Sequence, residues 1–156
     1  MIGLEADLVV VGGGMSGLTA ATAAAEKGMS VIVFEKSGTT GGAANMGMGF
    51  FAVGSERQKD DMYDYTADEA FEDFMTYTHW RPDARLVRRI FEQSADTVRW
   101  VEEMGVEFLG AYKYFMASKT TWHIVKVPGS DKPAERSARI MVKAMTRRAL
   151  ELGVDH

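Results

Sequence analysis

Gly12, Gly14 and Gly17 fit the spacing G-x-G-x-x-G, and they follow directly on the apolar run Asp7-Leu8-Val9-Val10-Val11. This is the pattern of a turn that seats a dinucleotide pyrophosphate. The first glycine allows the tight turn, the second lets backbone approach the diphosphate, and the third lets the following helix pack on the strand. Met15 and Ser16 add backbone N–H groups at the helix start, where the positive end of the helix dipole also favours an anion. Glu35 lies 21 positions beyond Gly14, close to the roughly 20-residue offset at which an acid accepts hydrogen bonds from the adenosine ribose. A carboxylate there repels a 2′-phosphate, which argues against NADP.

The elements needed to hold these residues are legible on either side. An Ala-rich helix is expected from Met15 to Lys27, with Leu18, Ala21 and Ala25 on its inner face and Gly28 as its stop. Strands are expected at Ala6 to Val11 and Ser30 to Phe34, the second a continuous apolar run suited to a buried parallel sheet. Six glycines then fall between Lys36 and Ser55. They imply irregular backbone that approaches a flat ligand closely. Met46, Met48, Phe50, Phe51 and Val53 make that segment a buried loop rather than a solvated linker.

Beyond it, residues 55–66 read as a solvated connection or a frayed helix, and Asp60, Asp61 and Asp64 lack the spacing of a calcium loop. Thr66 and Glu69 form a capping box for a short helix with Phe71, Phe74 and Tyr77 inward. Another helix starts at Arg81-Pro82-Asp83, carries a stripe of Leu86, Ile90, Val98, Val101 and Met104 with an interruption near Ser94, and ends at Gly105. A strand at Val106 to Leu109, one or two strands within Tyr112 to Val127 and a turn at Pro128-Gly129 follow. The last helix, Ala134 to Leu152, turns Met141, Met145, Ala149 and Leu152 inward and Arg136, Arg139, Lys143, Arg147 and Arg148 mostly outward; five cations on one helix invite an anion site, but a solvated face is the expectation. Val154 opens a further strand.

The 156 residues suit one domain, and a net charge of −4 gives no case for nucleic acid or an anionic membrane. Without cysteine, disulfides, thiol catalysis and cysteine-held metal centres are excluded. No apolar run reaches the roughly 18 residues of a membrane span. The opening residues read as strand almost at once, so a cytoplasmic location is expected. His79, His123 and His156 stand apart in sequence and read as surface or hydrogen-bonded core residues. Only two strands of a dinucleotide fold precede the end, where a minimal half needs three, so the chain reads as the front of something larger.

Asp7 to Gly17, Glu35-Lys36, Gly41-Gly42 with Gly49, and the segment closing in Trp100-Val101-Glu102-Glu103-Met104-Gly105-Val106-Glu107-Phe108 together resemble the flavoprotein subunit of the fumarate reductase and succinate dehydrogenase family. The likeness is nearest to its soluble FAD-dependent reductases and 3-ketosteroid dehydrogenase-like members. The resemblance implies an α/β fold, an incomplete Rossmann-like FAD-binding domain of the glutathione-reductase type followed by a helical and short-strand segment. Residues 1–54 would form the βαβ start and flavin loop, and 55–156 its continuation. It implies that Gly12, Gly14, Met15, Ser16 and Gly17 hold the pyrophosphate, Glu35 the ribose and Lys36 the adenine end. Gly41, Gly42, Ala43, Ala44, Gly47 and Gly49 would run beneath the ribityl chain and ring. With no histidine between Lys36 and Phe51, the flavin would be noncovalent. Hydride transfer to or from an activated C=C bond is the implied chemistry, with the catalytic acid and cap domain beyond this stretch, so no catalytic residue is assigned. A noncatalytic FAD-binding or assembly module completed by another chain, or an NAD-binding Rossmann domain, are the alternatives.

Overall fold

The structure is a computed structural model and describes residues 4–155. Strand β1 (Leu8–Val11) leads through the glycine turn into α1 (Met15–Ala25), and β2 (Val31–Phe34) returns parallel to β1, pairing Leu8 with Val31 and Val11 with Phe34. This is the βαβ unit expected from the sequence. Leu18, Ala21 and Ala25 are its buried helical positions, and small alanines there let the helix sit close on the pair. At the far end of the chain Asp155 adds to the other edge of β2, its N–H bonding Val31 O at 3.0 Å and its carbonyl accepting from Val33 N at 2.7 Å. The third strand position is thus occupied on the outer side of β2.

The second unit is a three-stranded antiparallel sheet in the order β3-β5-β4, built from β3 (Gly49–Phe51), β4 (Phe108–Lys113) and β5 (Thr120–Val125). The glycine-rich stretch is therefore not irregular throughout: Gly42–Met46 forms a 3-10 turn and Gly49–Phe51 a strand. Gly49 is fixed there by space, since an added Cβ would lie 1.8 Å from the carbonyl oxygen of His123. Gly49→Ala should force the β3 and β5 backbones apart and lower the unfolding midpoint in urea; an unchanged midpoint would show that this strand yields freely.

Among the described residues the remaining α-helices are α2 (Glu56–Asp60), α3 (Ala67–Tyr77), α4 (Ala84–Glu103) and α5 (Ala138–Glu151). Residues 55–66 are more ordered than a solvated connection. Ser55 and Gln58 form a capping box on α2, and Gln58 is itself buried with its Nε2 donating to Thr120 O at 2.6 Å. The Thr66 and Glu69 capping box on α3 is present as expected.

Two helix faces differ from expectation. On α3 the inward residues are Ala70, Phe71 and Met75, while Tyr77 is 83% exposed and Phe74 only leans edge-on against Phe91. On α4 the buried line is Val87, Phe91, Ser94, Val98 and Val101, and Leu86 and Ile90 face outward. The helix runs through Ser94 without interruption. That hydroxyl donates to Phe91 O at 2.8 Å and accepts from Val53 N at 3.0 Å, so a polar group sits satisfied in the core. Helix α5 begins at Ala138, four residues later than expected, because Arg136 adopts a left-handed φ of 59°. Met141, Met145 and Ala149 are buried along it as expected.

Helices α1 and α5 cover one face of the parallel strands, with Ala21, Ala25, Val31, Val33, Ala149 and Val154 forming one core cluster. On the opposite face Val9, Val11 and Phe34 are 52%, 86% and 54% exposed, while Ile32 is buried. Among the described residues no helix is long and apolar enough to cross a membrane.

Candidate functional site

The glycine turn is assembled backbone to backbone. Gly12 has a φ of 99° and its N–H bonds Phe34 O at 2.7 Å, closing β1 onto β2 where the chain must reverse direction. Gly14 is the N-cap of α1 and brings no side-chain cap, and no acid lies in the first turn. Leu18 N is the first amide bonded back, to Gly14 O at 2.9 Å; the amides of Met15, Ser16 and Gly17 meet no acceptor among the described residues. Orphan N–H groups at an uncapped helix start make an anion site. Space is open as well. A Cβ on Gly12 or Gly14 would have nothing within 4 Å, so backbone here faces open space. Gly17 is different, since its Cβ would fall 1.9 Å from Gly12 O, and its role is close packing of helix on turn.

The second glycine cluster is carried onto the first. Gly41 N donates to Gly13 O at 2.7 Å and Gly14 and Gly41 form a parallel bridge. Gly41 takes φ 98° in a slot where a Cβ would strike Val142 at 2.5 Å, and Gly42 lies against Gly14 Cα. Ala43 and Ala44 follow in the 3-10 turn. Gly47 and Met48 are tied to the start of α5, with Ala138 N bonding Gly47 O at 3.1 Å and Ser137 Oγ donating to Met48 O at 3.0 Å. Gly49 then enters β3. One continuous backbone surface thus runs from the turn through 41–49.

Glu35 sits at the end of β2, half-buried. Its Oε2 accepts from Gly13 N at 2.7 Å and its Oε1 from Ser37 N at 2.8 Å. The Ser37 amide first, then the Gly13 amide, hold its pKa below the usual glutamate value, so it remains an acceptor-only carboxylate with lone pairs to spare. Lys36 is exposed and lines, with Val11, Gly12, Phe34 and Glu35, a crevice of about 370 Å³ outside the carboxyl ends of the strands. Ligands of open α/β sheets bind at that location.

Gly13 and Ser37 were not singled out from the sequence. Both act through backbone, which leaves no side-chain signal, although Ser37 stands two residues beyond the acid it orients. Among the histidines, His79 lies past α3 with a left-handed φ of 53°. His123 is wholly buried in β5, hydrogen-bonded to Ser55, and does not reach the crevice; His156 lies outside the described residues.

A flavin dinucleotide fits this set, because the uncapped amides, the open space over Gly12 and Gly14 and the oriented carboxylate supply what a diphosphate and ribose require. Residues 7–154 match the family of FAD binding domains. The chain is 37% identical over 149 residues to vinyl phenol reductase of Lactiplantibacillus plantarum, covering 96% of this chain and 28% of that protein. Its structure is similar to an open conformation of a flavocytochrome c3 fumarate reductase, with TM-score 0.78 and 26% identity over 96% of this chain and 26% of that one. It also shares the fold of a 3-ketosteroid-Δ4-(5α)-dehydrogenase from Rhodococcus jostii, at TM-score 0.82 and 23% identity, over 99% of this chain and 38% of that one. The chain therefore spans about a quarter to two fifths of the length of these three proteins. It belongs to the family of FAD binding domains, and FAD is its cofactor.

Proposed function

We propose that FAD lies extended along the crevice, its diphosphate on the amides of Gly14, Met15, Ser16 and Gly17, its adenosine ribose on Glu35, and its adenine end beside Lys36. Gly12 shapes the turn. Gly41, Gly42, Ala43, Ala44, Gly47 and Gly49 then form the side-chain-poor floor for the ribityl chain and ring. The observation that carries this reading is the joining of the two glycine clusters by the Gly41 to Gly13 hydrogen bond. It turns two separate sequence motifs into one cradle. No histidine is present between Lys36 and Phe51, which supports a noncovalent flavin.

When bound, the flavin carries a hydride, and the protein supplies position and electrostatics. In this reading the chain belongs to an oxidoreductase that moves a hydride to or from an activated C=C bond, and it contributes cofactor placement only. Residues 1–54 and 55–156 act as one flavin-binding unit within a larger, cytoplasmic flavoprotein. The small share of each matched protein that the chain spans, together with Val9 exposed on the sheet face outside the flavin crevice, supports completion by further polypeptide, either the remainder of the flavoprotein or a complementing chain. Light scattering after size exclusion addresses that point: a stable, dispersed monomer that binds no hydrophobic dye would count against it.

Titration with FAD, followed by flavin absorbance after desalting, tests the cofactor site. One equivalent should be retained, and Glu35→Gln should weaken binding by roughly tenfold or more, since hydrogen bonds to charged groups are worth about 1.5–3 kcal/mol. Equal retention by the variant would remove the ribose assignment.

A further inference from the structure

Helix α5 places Arg139, Lys143 and Arg147 at successive turns of one face, where they line an open cleft of about 950 Å³ whose other lining includes residues 37–40. The expectation of a merely solvated face is incomplete, because these cations converge on a concavity. Arg148, on the neighbouring face, is paired with Glu26 at 3.1 Å. Arg147 donates to Met104 O at 2.9 Å and approaches Glu151 at 3.7 Å. Arg139 and Lys143 have no carboxylate partner among the described residues. The only acid lining the cleft is Glu35, and both its oxygens accept from backbone amides. A local excess of positive charge therefore persists on a chain whose net charge is −4.

The cleft is separate from the flavin crevice. The two share Glu35 alone; the crevice is otherwise lined by Val11, Gly12, Phe34 and Lys36. The cleft's own lining is tied together by hydrogen bonds, with Thr40 Oγ1 donating to Thr146 Oγ1 at 2.8 Å, Thr146 Oγ1 donating onward to Val142 O at 2.9 Å and Asn45 Nδ2 donating to Thr40 O at 2.8 Å. Cations one helical turn apart are close enough to share one multiply charged oxyanion. Val142 and Leu150 add an apolar wall, and the volume lies in the range of small-molecule sites. We propose that this cleft is a second ligand site, distinct from the flavin's, that takes a nucleotide-sized phosphate ester, its phosphate on Arg139 and Lys143 and its body against Val142 and Leu150.

Calorimetric titration with AMP and with inorganic pyrophosphate, on both the FAD-saturated and the flavin-free chain, tests this. AMP should bind in both states, and Arg139→Ala/Lys143→Ala should weaken it at least tenfold while FAD titration and circular dichroism stay unchanged. Pyrophosphate should bind more weakly than AMP, since it leaves the apolar wall bare. Failure of AMP to bind, equal AMP affinity in the double variant, or loss of AMP binding on saturation with FAD would each overturn the proposal. The last result would mean one continuous site. Failure to bind FAD would leave this test intact on the flavin-free chain.

Discussion

Gly14→Ala should fold as the parent does and lose FAD, whereas Gly17→Ala should lose stability and FAD together. The two glycines are three residues apart in one motif, yet space constrains them differently. Gly14 has φ −68° and ψ 176°, open to any residue, and an added Cβ meets nothing within 4 Å. Its methyl would project into the groove where the diphosphate must approach the α1 amides. Displacing the diphosphate from two such hydrogen bonds, each worth about 1.5–3 kcal/mol when one partner is charged, lowers affinity by roughly a hundredfold or more. Gly17 instead faces Gly12 O, 1.9 Å from its would-be Cβ. A backbone carbonyl cannot swing aside as a flexible side chain does, so α1 must shift on the turn, at a cost of about 1–3 kcal/mol or above. Urea unfolding and FAD titration on both variants separate the two effects. Flavin retained by Gly14→Ala at parental affinity would show that the diphosphate does not lie over this glycine.

The glycine motif and the first βαβ unit were legible because each depends on residues close in sequence: Gly12 needs its positive φ, Leu18, Ala21 and Ala25 repeat at helical spacing, and 31–34 is apolar throughout. Caps are equally local, and Thr66 with Glu69 announces α3. The face of α4 was not legible for a physical reason. Leu86 and Val87, then Ile90 and Phe91, place apolar residues on two adjacent stripes, and periodicity alone does not choose between them. Packing chose: Phe91 lies 5.1 Å from Phe51 and 5.7 Å from Phe74, ring to ring, so the Val87 stripe turned inward. Strand β3 was hidden similarly. It has three residues, and its partner β5 lies some seventy positions on, so nothing local marks its register. The expected cofactor residues converge for a reason that sequence does not display, namely the backbone contact between Gly13 and Gly41.

His123→Ala should cost roughly 2–5 kcal/mol of stability, the range for emptying a large buried side chain, and the parent should weaken measurably between pH 6.5 and 5. His123 is fully buried beneath Phe50, whose ring it stacks on at 6.5 Å and 25°, with Phe108 edge-on at 6.1 Å. Its Nδ1 lies 3.1 Å from Thr121 O, a pure acceptor, so Nδ1 carries the proton and Nε2 accepts from Ser55 Oγ at 2.7 Å. That hydroxyl also caps α2. One neutral imidazole therefore ties β5 to the helix that follows β3. Desolvation by burial is the main cause that lowers its pKa from 6.5; the Thr121 carbonyl opposes it, and the nearby Arg57 and Glu102, paired with each other at 3.1 Å, pull in opposite directions. With the folded pKa depressed, the unfolded chain binds the extra proton first as pH falls below 6.5. Stability is fully present above that value and declines down to the folded pKa, with a slope approaching about 1.4 kcal/mol per pH unit. Carboxylates such as Glu35 and Glu69, whose pKa values are also lowered, act only below the ordinary glutamate range, so the interval from 6.5 to 5 isolates the imidazole. His123→Gln keeps an amide to face Thr121 O and Ser55 but does not titrate, and urea midpoints measured at pH 8, 7, 6 and 5 should be nearly flat for it across that interval. A variant slope as steep as the parent's would assign the acid sensitivity to other groups.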